Sequence, residues 1–264
     1  MTQRPESATR RVMHEIKRRQ LEVLRVTHLT PRMRRITLGG PQLAGFLSMA
    51  PDDHIKLMFL RTAEEAAALP TLVLGQATDG PKPAMRDYTP RRIDLAAGEL
   101  DIDFVIHGDG PASTWAEQAK PGDTLYIGGP RGSLIVDDVF DSYLLIGDET
   151  ALPAIARRLE ELPDTRQVLA VIEVDNEQER QPLPARPGLE VIWVLRHQQS
   201  LETVVAGLAL PPGELYGWIA TEAALSRRLR RLLLDHFQLG EHNLKAAGYW
   251  RREDDADEPA DNPR

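Results

Sequence analysis

Residues 86–91 read Arg86-Asp87-Tyr88-Thr89-Pro90-Arg91. By itself the stretch reads as a short strand that ends at a proline-marked turn with a half-buried tyrosine. Its side chains also form a chemical set. A guanidinium can hold a phosphate in a fork, a phenol ring can pack along an extended ligand, and a hydroxyl can reach a ring nitrogen. Downstream, Asp103-Phe104-Val105-Ile106-His107-Gly108 runs on into Gly110-Pro111-Ala112-Ser113-Thr114-Trp115-Ala116, and Gly129-Pro130-Arg131-Gly132-Ser133 follows. Small residues in such a turn let backbone N–H groups approach a pyrophosphate closely.

Around these segments the first half of the chain reads as strands. Ile55, Leu57 and Phe59 alternate with His54, Lys56 and Met58, the period of a half-buried strand. Leu100, Ile102, Phe104 and Ile106 form one face of a second strand, and Asp101, Asp103, Val105 and His107 form the other. Leu125 and Ile127 begin a third, which stops at Gly128-Gly129-Pro130. Residues 63–83 suggest a helical turn and a loop. Short strands punctuated by Gly and Pro predict a small antiparallel β-barrel.

The pattern changes near Phe140. Tyr143–Ile146 reads as a buried strand, and Gly147-Asp148-Glu149-Thr150 turns into a helix with Leu152, Ile155, Ala156 and Leu159 on one face. Thr150 is the expected N-cap, with Pro153 in the first turn. Strands are expected at Val168–Val174, Glu190–Leu195 and Leu215–Ala220, and helices at Leu201–Leu208 and Glu222–Phe237. This alternation predicts a parallel α/β layer. The expected organisation is a flexible N-terminus (1–20), a β-barrel domain (21–139), an α/β nucleotide-binding domain (140–252) and a disordered acidic tail (253–264).

Composition narrows the chemistry. With no cysteine among 264 residues, the chain has no thiolate zinc site and no cysteine-ligated iron–sulfur cluster, so an organic group must carry any electrons. A formal charge of −8 argues against nucleic acid as a partner. No apolar run is long enough to span a bilayer, and residues 1–20 lack the apolar centre of a secretory signal. The expectation is a cytoplasmic protein without stable membrane insertion.

In this order and spacing, the quoted segments resemble the siderophore-interacting proteins. These are flavoprotein ferric-siderophore reductases of the ferredoxin-reductase superfamily, and the resemblance runs from about Leu21 to Trp250. It implies FAD as cofactor, held at the junction of the two domains. Arg86 would lie near the diphosphate, Tyr88 against the flavin–ribityl region and Thr89 near the ring edge, with Asp87 in the same group. The strand Asp103, Phe104, Val105, His107 would contact the FAD, and the turn at Ala112, Ser113 and Thr114 would donate to its phosphates. Lys56 and Arg131 resemble the residues that dock an anionic ferric siderophore.

The resemblance further implies NADPH or NADH as electron donor at Asp148 and Thr150, with reduced ferredoxin as the alternative. Trp218-Ile219-Ala220-Thr221-Glu222 resembles a second element of the nucleotide site, and Trp250 an aromatic group that yields to the nicotinamide. The physical chemistry pulls the other way at one point. Residues 147–150 lack a glycine-rich fingerprint, and two acidic side chains there repel a pyrophosphate. Lone His, Lys and Arg residues also have plainer readings, as strand ends and solvated charge. A siderophore-binding module without redox activity and a general flavin reductase are the rival functions.

Overall fold

The computed structural model describes residues 8–72 and 80–252. The chain divides into two compact units. One comprises the described residues through Asp138 together with Pro153–Leu162 and Gln178–Pro184; the other comprises Val139–Leu152, Pro163–Glu177 and the described residues from Ala185 onward.

The first unit contains β1 (Thr9–Met13), β2 (Arg18–Thr30), β3 (Met33–Gly39), β4 (Ile55–Phe59), α1 (Ala63–Ala68), β5 (Ala84–Tyr88), β6 (Arg92–Asp94), β7 (Glu99–Val105), α2 (Pro111–Gln118), β8 (Thr124–Gly128) and β9 (Gly132–Val136). Seven strands form an antiparallel sheet in the order β5-β4-β8-β2-β3-β7-β6, and β1 and β9 pair as a separate ribbon. The two edge strands, β5 and β6, are joined by just Thr89-Pro90-Arg91. A flat sheet of seven strands would hold its edges roughly 29 Å apart. A link of three residues reaches at most about 14 Å. The sheet therefore curls until its edges nearly meet, as the predicted barrel requires, and residues 86–91 are the seam.

Apolar side chains fill the interior, among them Leu21, Val23, Ile36, Leu57, Ile102 and Ile127. Across the seam the Tyr88 ring packs on Phe104 at 4.5 Å between centroids, and the Arg91 N–H donates to Asp101 O at 2.9 Å. Helix α3 (Leu152–Glu161), whose residues from Pro153 belong to this unit, braces the same place. Glu160 accepts two bonds from Arg91, and Arg157 donates to Ser48 Oγ, Ser48 O and Pro90 O.

The second unit is a parallel sheet in the order β12-β11-β10-β13-β14, formed by β10 (Ser142–Gly147), β11 (Gln167–Val174), β12 (Leu189–Leu195), β13 (Leu215–Glu222) and β14 (Leu244–Trp250), with α4 (Leu201–Ala206) and α5 (Ala223–Asp235). The chain winds outward from β10 to β12 and then returns to β13 on the other side of β10. Ligands of such sheets bind outside the carboxyl ends of the strands where the direction reverses, here β10 and β13.

The structure departs from the sequence reading in four places. The turn after His107 is an eight-residue helix, α2, with Pro111 at its first position. Thr150 is not the cap of α3, which begins at Leu152. Instead the Asp148 carboxylate accepts both the Thr150 N–H and its hydroxyl, at 2.9 and 2.6 Å. Strands β1 and β14 were not anticipated, and residues 9–13, read as part of a flexible terminus, pair with β9. The long β2–β3 hairpin escaped notice because register shifts near Val23–Arg25 and His28–Thr30 break its alternation. The expected disorder of 253–264 lies outside the described residues. No helix among the described residues is long and apolar enough to cross a membrane.

Candidate functional site

On the first unit, Arg86 is exposed on edge strand β5, where its Nη1 donates to its neighbour's carbonyl, Met85 O, at 2.8 Å. It forms no ion pair among the described residues, which leaves its fork open. Asp87 instead binds Lys56 directly across β4–β5, at 2.8 and 3.0 Å. Burial of Tyr88 pushes its phenol well above the usual tyrosine range, so it acts as a neutral ring and donor. Thr89 is 6% exposed, so its hydroxyl is held at the seam.

The second sequence segment joins this set through its aromatic rings. Phe104, fully buried, contacts both Tyr88 and Trp115, and Trp115 contacts Phe59. This row links β5, β7, α2 and β4. The Ala112 and Ser113 N–H groups open α2, and no side chain caps them. A Cβ added at Gly110 would meet only His107 Cε1, at 3.9 Å. An uncapped helix start with open space at its N-cap suits a phosphate. The Ser113 hydroxyl accepts the His107 N–H at 2.9 Å, while Thr114 and His107 are exposed. An open guanidinium, uncapped N–H groups and a packed aromatic row fit FAD as a donor set.

The other face of β7 is an ionic ladder. Both oxygens of Asp103 accept from Arg35, at 2.7 and 2.8 Å. Asp101 accepts from Thr37 and Arg92, and Arg92 and Arg25 share Glu99. The sequence reading expected a ligand on this face. Buried carboxylates need partners, and here cross-strand arginines supply them, leaving half-buried Val105 between.

Lys56 lies opposite Gly128 in the β4–β8 register, and Arg131 follows three residues later in the link before β9. Arg131 is exposed and forms no ion pair among the described residues, so the pair offers one engaged cation and one open one.

On the second unit, Asp148 leaves the carboxyl end of β10 and is 3% exposed. Burial pushes its carboxyl up to about 6, although hydrogen bonds from Thr150 and from Trp250 Nε1 act to lower it. Glu222, at the end of β13, accepts the Ala224 and Leu225 N–H groups and so caps α5 with its own carboxylate. Among the residues that sequence reasoning missed, Arg196 stands out. From just beyond β12 it reaches Glu149 at 2.5 Å and Glu173 at 2.8 Å, tying together the carboxyl ends of β10, β11 and β12. Charged residues at consecutive strand ends were the available signal.

Residues 22–134 match the siderophore-interacting FAD-binding domain, and residues 140–253 match the siderophore-interacting protein family. The NADPH-dependent ferric-chelate reductase of Escherichia coli (strain K12) is 37% identical over 246 residues, covering 91% of this chain and 95% of the relative. The ferric vibriobactin reductase ViuB of Vibrio cholerae is 30% identical over 243 residues, covering 89% of each chain. A crystal structure of a siderophore utilization protein from T. fusca superposes with a TM-score of 0.82 at 38% identity, covering 93% of this chain and 97% of that one.

Proposed function

Since the chain belongs to the siderophore-interacting protein family, we propose that it is an FAD-dependent ferric-siderophore reductase that takes electrons from NADPH and releases iron as Fe(II). The observation that carries the reading is the barrel seam, where Arg86, Tyr88 and Thr89 cross from one sheet edge to the other beside the row of rings that ends at α2. The names of the E. coli and V. cholerae relatives support the substrate and the donor.

Bound FAD would supply the change from two-electron to one-electron chemistry that a nicotinamide donor and a ferric acceptor require. The chain's own residues hold and orient. Arg86 and the Ala112 and Ser113 N–H groups bind the diphosphate, with Thr114 beside them. Tyr88, braced by Phe104, supports the ribityl–flavin side, and Thr89 serves the ring edge. Asp87 partly neutralises Lys56 across the sheet, while Asp103 and Val105 shape the strand that backs the site and His107 follows its end. Lys56 and Arg131 attract and orient the anionic chelate against the net charge of −8. Hard oxygen ligands hold Fe(II) less tightly than Fe(III), so no side chain need act as a nucleophile.

In this reading residues 21–139 carry the flavin function and residues 140–252 the nicotinamide function, with Asp148, Thr150 and Trp250 at the nucleotide site. Use of NADPH sets the reaction in the cytoplasm. One observation favours reduced ferredoxin as a second reading of the donor. Carboxylates occupy both switch-point strand ends, Asp148 after β10 and Glu222 after β13, where a pyrophosphate would otherwise find bare N–H groups. An anaerobic absorbance experiment tests both. The flavin should bleach with NADPH and recover its colour on addition of a ferric chelate. Bleaching by reduced ferredoxin alone would replace the donor, and a colourless protein would remove the redox reading.

A further inference from the structure

Arg19 stands on the inward face of β2, one alternation before Leu21 and Val23, and is 5% exposed. Its register partner on β8 is Ile127, which in turn faces Leu57 on β4, and both are fully buried. A guanidinium therefore fills the last inward layer at this end of the barrel. Its donors reach only backbone carbonyls, Gly129 and Gly45 at 3.3 Å and Lys17 at 3.4 Å, and the Phe46 ring lies 5.3 Å from its carbon. These contacts are longer than ordinary hydrogen bonds of about 2.7–3.2 Å. No carboxylate forms an ion pair with Arg19 among the described residues. Burial lowers its pKa from the usual arginine value, against the pull of Glu15. A buried cation held by carbonyl oxygens and a ring face but by no counter-charge is costly, and that cost marks a place for an anion.

Arg19 lines a cavity of about 280 Å³, together with Met13, His14, Glu15, Lys17, Leu47 and Pro130, so two cations face one carboxylate there. A pocket of roughly 150 Å³ already holds a benzene ring. The Ser133 hydroxyl gives its proton to Asp53 at 2.6 Å. His14 Nε2, 2.7 Å from the same oxygen, must therefore donate, which fixes the ring and leaves Nδ1 as an acceptor at the cavity wall. Lys17 is held only by an exposed pair with Glu15, which is weak enough to yield. Met13 and Leu47 are 58% and 50% exposed, so an apolar rim stands beside buried positive charge. The cavity adjoins the docking residue: Pro130 precedes Arg131, and the His14 N–H donates to Arg131 O at 2.9 Å.

Cation and apolar wall together suit an aromatic ring bearing ionised oxygens. Resting on the reductase reading above, we propose that this cavity seats one dihydroxybenzoate-type arm of the ferric chelate. Arg19 and Lys17 hold the oxygens, and Met13 and Leu47 cover the ring.

The test uses FAD-loaded protein reduced by NADPH, with ferric 2,3-dihydroxybenzoate and ferric citrate as acceptors. Arg19→Met and Leu47→Trp should each raise KM for the dihydroxybenzoate chelate at least tenfold and change KM for citrate less than twofold. The flavin spectrum and the rate of bleaching by NADPH should stay as in the parent protein. Should Arg19→Met fail to fold, Leu47→Trp decides alone, because Leu47 is an exposed rim residue. An unchanged KM for the dihydroxybenzoate chelate in Leu47→Trp, or an equal rise with citrate, overturns the subsite and leaves the reductase reading standing. If the parent protein reduces neither chelate, the reductase reading falls and the subsite falls with it.

Discussion

Trp250, near the end of the described chain, donates its indole N–H to the buried Oδ2 of Asp148 at 2.8 Å. The bond ties the carboxyl end of β14 to that of β10, across the strand β13 that separates them.

This pair gives stability a definite dependence on pH. Asp148 titrates near 6 in the folded protein and near 3.9 in an unfolded chain. Between those values the folded state keeps a proton that the unfolded state has lost. Stability therefore falls as pH rises from about 4 to 6 and levels off above that. Asp148→Asn should flatten the slope, so that the stability difference between variant and parent shifts by up to about 3 kcal/mol across the window. Urea titrations at several pH values check this, and an unchanged slope would reject the assignment. In Trp250→Phe, loss of a bond that favours the carboxylate should raise the Asp148 pKa further.

Arg86→Ala should purify with depleted flavin. Loss of one charged fork to a phosphate costs roughly 1.5–3 kcal/mol, about tenfold to a hundredfold in FAD affinity. The exposed Arg86 braces nothing beyond its neighbour's carbonyl, so the melting temperature of the FAD-free protein should stay put. Equilibrium titration with FAD measures the loss.

Replacing Lys56 and Arg131 together with Ala should raise KM for an anionic ferric chelate, weaken its dependence on salt and spare the flavin spectrum. Asp87→Asn should do the reverse, because it frees Lys56 from its partner across the sheet. Steady-state kinetics over a range of ionic strength separate the two results.

Glu222→Ala should have opposed effects. Removing the cap of α5 costs about 0.5–2 kcal/mol of stability. The same change bares the N–H groups of Ala224 and Leu225 at the switch point, so the KM for NADPH should fall. Thermal melts and stopped-flow flavin reduction give both readings, and a higher KM would show that Glu222 itself contacts the nucleotide.

The sequence alone was enough for the architecture. Period-2 alternation at Ile55–Phe59 and Leu100–Ile106 comes from local sterics, and strands β4 and β7 form there, although the other face is covered too, burying Met58, Asp101 and Asp103. The order of β and α signals after Phe140 likewise gave the parallel sheet. What each polar residue does was settled by tertiary structure, because partners distant in sequence compete for each charge. Asp103 looked free to meet a ligand until Arg35 on the neighbouring strand took both its oxygens. Lys56 looked like an open cation until the β4–β5 register set Asp87 beside it. Arg19 gave no signal among the arginines around it, because inward and outward positions differ by one residue and only the β2–β8 register fixes which is which. The seam itself is of this kind. Residues 86–91 read locally as a strand and a turn, and only closure of the sheet makes them the place where its two edges meet.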